Sequence, residues 1–443
     1  MVIAISHPSL RVAWLVVGAL TLFSLALLKR IDPTHWDWLW RFFLWALAAR
    51  VLVAVALYLF SPRVWIPTEA GLVQNGGFFV GDAYVYAFNG EWLAEYWKHG
   101  VFPTDQFIAT ISMSKTSVHY NFWVGLLVYW LGYHPMTPVF LNCLFGAWSG
   151  VLLYWIARLY LPERNARIAG WLGAYWPSLF LWSTQNLKEP MSVFLLLAAF
   201  YCLLVPARRI IWLLVRLLGL GTVWALKVLN PFVGPLVAAS VIVAAILRLR
   251  FLRVGFLAVA GLSVALLVTG HVELLQPITR KVDRLIFGRP VIELALTPQR
   301  FIQAVEYLRR ARMAESRTPF LEDVRFERPG HLVRFFPVAF AALLTMPMPW
   351  TVRSLSECVG AVEMLLWYPL FIFALRGVVR AFKGGAEQAL LLVTTLIMCA
   401  AIALLEGNVG TLFRHRANVW PLLLLFTAIG LHSPTRTVEV RHG

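Results

Sequence analysis

The sequence predicts an all-α, polytopic membrane protein: one integral membrane domain over residues 1–443, with about eleven transmembrane helices and amphipathic surface helices on its outer face. Two observations lead to this class. The 443 residues are 60% hydrophobic, and runs such as VAWLVVGALTLFSLALL and FVGPLVAASVIVAAIL are each long enough to cross a hydrocarbon core of roughly 30 Å. The second is the placement of charge. The formal net charge is +17, yet Lys and Arg gather at the ends of apolar runs (LLKR, PARR, RLRFLR, RGVVRAFK), where they orient helices and meet anionic membrane lipids. Nucleic-acid binding needs one continuous basic face, which this distribution does not supply.

The expected spans are 12–28, 43–60, 137–157, 168–183, 190–205, 210–228, 231–247, 254–270, 359–376, 387–405 and 417–431. The first is followed by LLKRIDP rather than by a small-residue cleavage site, so it reads as a retained helix. Two apolar segments are left over: NFWVGLLVYWLGY from Asn121, and FFPVAFAALLTMPMPW from Phe335 with its internal prolines. Both are too short to cross comfortably. Leaving them out puts the basic loops 29–41, 158–167, 208–209, 248–253 and 376–383 on one side, the inside, together with the terminal TRTVEVRHG. The N-terminus and two long segments, 61–136 and 271–358, then lie outside.

Those outer segments carry helices of their own. From Asp82 to Trp97 the residues Val85, Phe88, Trp92 and Tyr96 recur at helical spacing, which predicts a helix lying on the membrane surface. Thr297 and Pro298 read as N-cap and first position of a second helix, with Phe301, Val305 and Leu308 as its apolar stripe. The four cysteines show neither CxxC nor zinc spacing, which predicts no disulfide and no structural metal.

On this topology the outer helix ends collect Asp82 in GDAYVY, Lys188 and Glu189 in STQNLKEP, Lys227 in LKVLNP, and Arg414 and Arg416 in GNVGTLFRHR. Ionisable groups at one membrane depth are costly unless they are paired, solvated or used, so together they suggest a site for a charged substrate. Each also fits a structural role. Asp82 can be a helix N-cap or a catalytic carboxylate, Glu189 before Pro190 suits a helix first turn, and Lys227 can snorkel to the interface. Arg414 and Arg416 run against both the charge bias and the helix dipole, which favours an anionic ligand; Gly407 and Gly410 would let backbone approach it. His99, His119 and His415 form no metal-ligand motif and read as interfacial.

With these residues placed, the chain resembles the GT-C membrane glycosyltransferases, which take a sugar from a polyprenyl-phosphate carrier and include protein mannosyltransferases and aminoarabinose transferases. The resemblance rests on the loop opening with GDAYVY, on NLKEP and on GTLFRHR. It implies a GT-C-like bundle in a bacterial inner membrane with its active site on the outer face. It also implies Asp82 as the catalytic carboxylate, Glu189 as the second-loop acid for acceptor or metal with Lys188 beside it, and Arg414, Arg416 and Lys227 on the donor phosphate. The expected donor is a polyprenyl-phosphate-linked sugar; the acceptor is a lipid, glycan or protein. The chain departs from the pattern in having Ala83 after its single first-loop acid and Lys188 before its second. A divalent cation therefore stays open as cofactor. No GxGxxG or P-loop is present, consistent with a lipid donor. Two other readings stand beside this one: an O-antigen-type polysaccharide polymerase or ligase, and a transporter of a lipid-linked substrate.

Overall fold

A computed structural model of the chain describes residues 8–60, 64–68, 71–75, 78, 81–102, 117–206, 209–248, 298–313, 319–321, 324–327, 329–352, 355–384 and 386–432. Helix α1 (Pro8–Ile31) and helix α2 (Trp36–Phe60) flank a short turn, Pro33–His35, capped by Asp32. A small hairpin follows, β1 (Val64–Thr68) antiparallel to β2 (Gly71–Asn75) with Val64 opposite Asn75, a minor addition to a bundle that is otherwise helical, as expected. Next come α3 (Gly81–Lys98), α4 (Val118–Leu131), α5 (Met136–Arg158), α6 (Glu163–Tyr175), α7 (Pro177–Ser183), α8 (Glu189–Leu204), α9 (Arg209–Leu229) and α10 (Val233–Arg248). The C-terminal part holds α11 (Pro298–Met313), α12 (Pro329–Thr345), α13 (Leu355–Phe382), α14 (Ala386–Leu405), α15 (Val409–Arg416) and α16 (Trp420–Leu431).

Among the described residues six helices are long and apolar enough to cross a membrane, within α1, α2, α5, α9, α13 and α14, and α8, α10, α12 and α16 are shorter apolar helices. The expected number of about eleven spans is not confirmed among the described residues. The expected span 254–270 and the expected N-cap Thr297 lie outside the described residues. The expected span 417–431 starts only at Trp420, after the separate α15, and the leftover segments form α4 and α12.

Helix α5 is the axis of the bundle. Every residue from Met136 to Ala157 except Phe145 is buried, because α2, α6, α7 and α8 surround it. Close approach is set by small residues: a Cβ on Gly377 of α13 would sit 1.8 Å from the Phe426 carbonyl, and one on Gly430 of α16 equally near that of Phe373. With no hydrophobic driving force between helices in lipid, such backbone contact is a principal source of cohesion.

The expected span 168–183 breaks into α6 and α7 at Trp176 and Pro177. Proline has no N–H and disrupts the ladder around it, leaving the Ala174 carbonyl and the Ser178 amide without each other. Both find side chains instead. Arg50, fully buried on α2, donates to the Ala174 carbonyl and to Ser183 Oγ at 2.8 Å, while Ser178 N donates to Glu363 Oε2 of α13 at 2.8 Å. The break is held by one cation and one anion from opposite sides.

Candidate functional site

The helix anticipated in the first long segment is α3, but its packing face differs from the expected stripe. Ala83, Tyr86, Ala87, Gly90, Leu93 and Ala94 are buried, while Val85, Phe88, Trp92 and Tyr96 are half-exposed. Small residues win because α4 lies directly alongside: a Cβ on Gly90 would meet Val124 at 2.5 Å, and one on Gly125 would meet Leu93 at 3.0 Å. Asp82 stands inside the first turn of α3 rather than ahead of it as a cap.

A polar network fixes this turn against the loop before α8. Asn186 Nδ2 donates to the Ala83 carbonyl at 3.2 Å, and Asn186 Oδ1 accepts from Tyr120 Oη of α4 at 3.1 Å. Asn142 of α5 donates to the carbonyls of Gln185 and Leu187 at 2.7 and 2.8 Å. Tyr86 lies edge-on to Tyr120 and accepts from Ser117 N at 3.1 Å. These bonds place Glu189, first residue of α8, beside Asp82 although 107 positions separate them in sequence (189 − 82).

Arg414 closes the group. Its Nη1 donates to Asp82 Oδ2, and its Nε lies 3.2 Å from Glu189 Oε1. The two carboxylates differ in access: the Asp82 side chain is 38% exposed and that of Glu189 only 2%. Burial works against the Arg414 charge, but Glu189 and Asp82 outweigh it and hold the guanidinium protonated beyond its usual range. Lys188 is adjacent. Burial lowers its pKa, Glu189 opposes that, and Arg414 adds to it. Three remote stretches thus meet as two acids and two bases.

Arg416, expected beside Arg414, is not there. Two residues along a helix point to different faces, and Arg416 is fully buried in the bundle, donating to the carbonyls of Leu343 and Met346 at 2.8 and 2.7 Å and pairing with Glu363 at 3.3 Å. It belongs to the support of the broken helix rather than to a ligand surface. Lys227 lies half-buried on the last turn of α9, at the same end of the bundle, and the contacts joining Asp82, Glu189 and Arg414 do not include it. Gly407 is needed for packing, not for a ligand: a Cβ there would meet Met313 of α11 at 2.3 Å. Asn408 caps α15 by accepting from Gly410 N at 2.9 Å.

Sequence reasoning missed Glu406. Its fully buried carboxylate takes Arg312 of α11 on one side and His415 of α15, read as interfacial, on the other. Burial pushes the Glu406 pKa up, but His415, then Arg312 and Arg414, bring it below the ordinary range. Arg309 donates to the Glu406 and Phe320 carbonyls, and Phe320 N donates to the Gly407 carbonyl at 3.0 Å. The buried stripe of α11 is consequently Ile302, Val305 and Arg309, with Leu308 39% exposed, so only Val305 of the expected stripe packs inward among the described side chains. A single acid directly after an apolar run, LLEGN, was the available signal.

Among the described residues no group of three or more His, Cys, Asp or Glu is arranged to hold a metal ion. The space between Asp82 and Glu189 is taken by a guanidinium, so a divalent cation does not fit this donor set without displacing Arg414.

No family model and no curated protein matches the chain. Solved structures similar to it include the archaeal oligosaccharyltransferase AglB from Archaeoglobus fulgidus in complex with an inhibitory peptide and a dolichol-phosphate, with a TM-score of 0.42. The Archaeoglobus fulgidus oligosaccharyltransferase in the apo form gives a TM-score of 0.40. In both the identity is 16% over 87% of this chain and 50% of the other, so the chain spans about half the length of each.

Proposed function

We propose that the chain is an inverting glycosyltransferase that moves a sugar from a polyprenyl-phosphate carrier to an acceptor hydroxyl at the outer membrane face. The observation that carries this reading is Arg414 drawn between Asp82 and Glu189, with Lys188 alongside, at one end of an apolar bundle. Sugar transfer from a phosphate needs two things at one point: a group to take the acceptor proton, and cations to stabilise the leaving phosphate. The exposed carboxylate, Asp82, suits the first task. Arg414 and Lys188 suit the second.

The difference in access separates the acids. Glu189, buried against the Nε edge, fixes the arginine, while Asp82 binds the Nη1 edge from the open side. A donor phosphate that takes over Nη1 releases Asp82, so donor binding itself frees the base. The acceptor oxygen then attacks the anomeric carbon from the face opposite the phosphate. Its proton passes to Asp82, and the bond from carbon to phosphate oxygen breaks with its electron pair remaining on the phosphate beside Arg414. A single displacement inverts the anomeric centre.

The test is sugar transfer from a polyprenyl-phosphate-linked donor by the purified chain and by Asp82→Asn. Asn keeps the shape and cannot take a proton, so the rate is expected to fall by roughly two to four powers of ten with thermal stability retained. A stable, fully active Asn variant would overturn the assignment.

A further inference from the structure

At the end of the bundle opposite Asp82, the starts of α2 and α6 border an open concavity of about 520 Å3, lined by His35, Asp37, Trp38, Arg41, Glu163 and Arg167. None of these residues takes part in the proposed reaction. Their charges cancel: two carboxylates face two guanidinium groups. Within that balance, Glu163 is already committed, to Arg167 and to His35 Nε2 at 3.3 Å, and Arg167 lies over the Trp38 ring at 5.0 Å. Asp37 and Arg41 are different. Both are exposed, they stand one turn apart on α2, and among the described residues neither forms an ion pair; Arg41 lies only over the Trp40 ring, at 5.3 Å. The cavity therefore offers one unpaired anion and one unpaired cation beside an indole.

A purely anionic ligand would satisfy Arg41 and leave Asp37 facing it, at an electrostatic cost. A zwitterion satisfies both. The surroundings indicate where it comes from. The cavity opens at the start of a helix long and apolar enough to cross a membrane, with Lys29, Arg30, Arg158, Arg164, Trp36 and Trp40 near its lining residues in sequence, the basic and aromatic composition typical of the headgroup region. Below Arg41 the same face of α2 continues with Trp45 and Leu52, 67% and 71% exposed, a stripe against which an acyl chain can run.

We propose that this concavity binds the phosphoethanolamine headgroup of an aminophospholipid, with Arg41 on the phosphate, Asp37 on the primary ammonium and Trp38 as the wall between them. A trimethylated ammonium has no N–H to donate to Asp37, and a glycerol headgroup has no cation. The site thus discriminates by headgroup rather than by net charge.

The experiment is native mass spectrometry of the full chain released from vesicles of equimolar phosphatidylethanolamine, phosphatidylcholine and phosphatidylglycerol. The expected result is retention of phosphatidylethanolamine over either competitor by about tenfold. Asp37→Asn should abolish that preference, and Arg41→Gln should lower retention of all three lipids, with melting temperatures unchanged because both side chains face solvent. Equal retention by the unaltered chain, preference for phosphatidylglycerol, or an undiminished preference in Asp37→Asn would each overturn the proposal. Free phosphoethanolamine added to the unaltered chain separates the sources. Failure to displace the lipid supports a membrane ligand, and displacement at concentrations comparable to the lipid's assigns the cavity to a soluble zwitterion and overturns it.

Discussion

Arg414 and Arg416 share a helix, a charge and a spacing of two residues, yet the fold uses them oppositely. Arg414 looks onto the half-open acid pair, so Arg414→Ala should weaken donor-phosphate binding by about 2–4 kcal/mol, and Lys should restore it only in part because it lacks the planar fork. Arg416→Ala instead leaves Glu363 buried without its cation and should cost about 3–5 kcal/mol of stability, read as a lower melting temperature in detergent. A collapse of donor affinity in a stable Arg416→Ala variant would contradict this division. Glu91, half-buried on α3, provides a pH test. Burial, then Glu95, pushes its carboxyl up from 4.5 to about 7. An acid that holds its proton more tightly when folded contributes stability that is complete below its unfolded pKa and is lost as pH rises through the folded one. Unfolding followed between pH 4.5 and 8 should show that decline. Glu91→Gln should remove it and gain roughly 1–2 kcal/mol at the alkaline end, after allowance for solvent screening of a partly exposed group.

Helix α11 carries only a modest apolar stripe, and its attachment depends on Arg309 and Arg312 reaching the Glu406 region. Removing the Glu406 charge leaves Arg312 and His415 without their shared partner, so Glu406→Gln should loosen residues 298–313 by about 2–3 kcal/mol. Amide hydrogen exchange should register the change in α11 and α15 while α5 stays protected; unaltered exchange in α11 would show that its apolar contacts suffice. This attachment was barely legible in the sequence. Periodicity finds the existence of α3 and α11, since one residue in three or four must face inward, but it assigns the inward face by hydrophobicity alone. In α3 the neighbour is another helix at backbone distance, which rewards Ala and Gly over Phe and Trp. In α11 the inward position belongs to an arginine whose stem packs while its head bonds carbonyls.

At the scale of the whole molecule, the apolar runs that fall among the described residues do become helices, because a backbone in hydrocarbon has to satisfy its hydrogen bonds internally. The convergence of Asp82, Glu189 and Arg414 was legible as residue types at helix ends. Its agents were not, because Asn142, Asn186 and Tyr120 are unremarkable polar residues until folding brings them onto one another's carbonyls and amides. The support of the broken helix was equally hidden: Arg50 and Glu363 each lie in an otherwise apolar run, 313 residues apart (363 − 50). That pair has a consequence for biogenesis. A central arginine or acid costs about 2.5–3.5 kcal/mol when a helix leaves the translocon alone, and Ser178 cannot find its acceptor until α13 has been synthesised. The nascent N-terminal bundle must wait, incompletely satisfied, for a segment made nearly two hundred residues later (355 − 177 = 178). Chains halted before residue 355 should therefore be cleared rapidly by membrane quality control, and Glu363→Leu should shorten the half-life of the full-length chain in pulse–chase labelling. Synthesis of the last fifth of the protein thereby serves as the checkpoint for the N-terminal bundle.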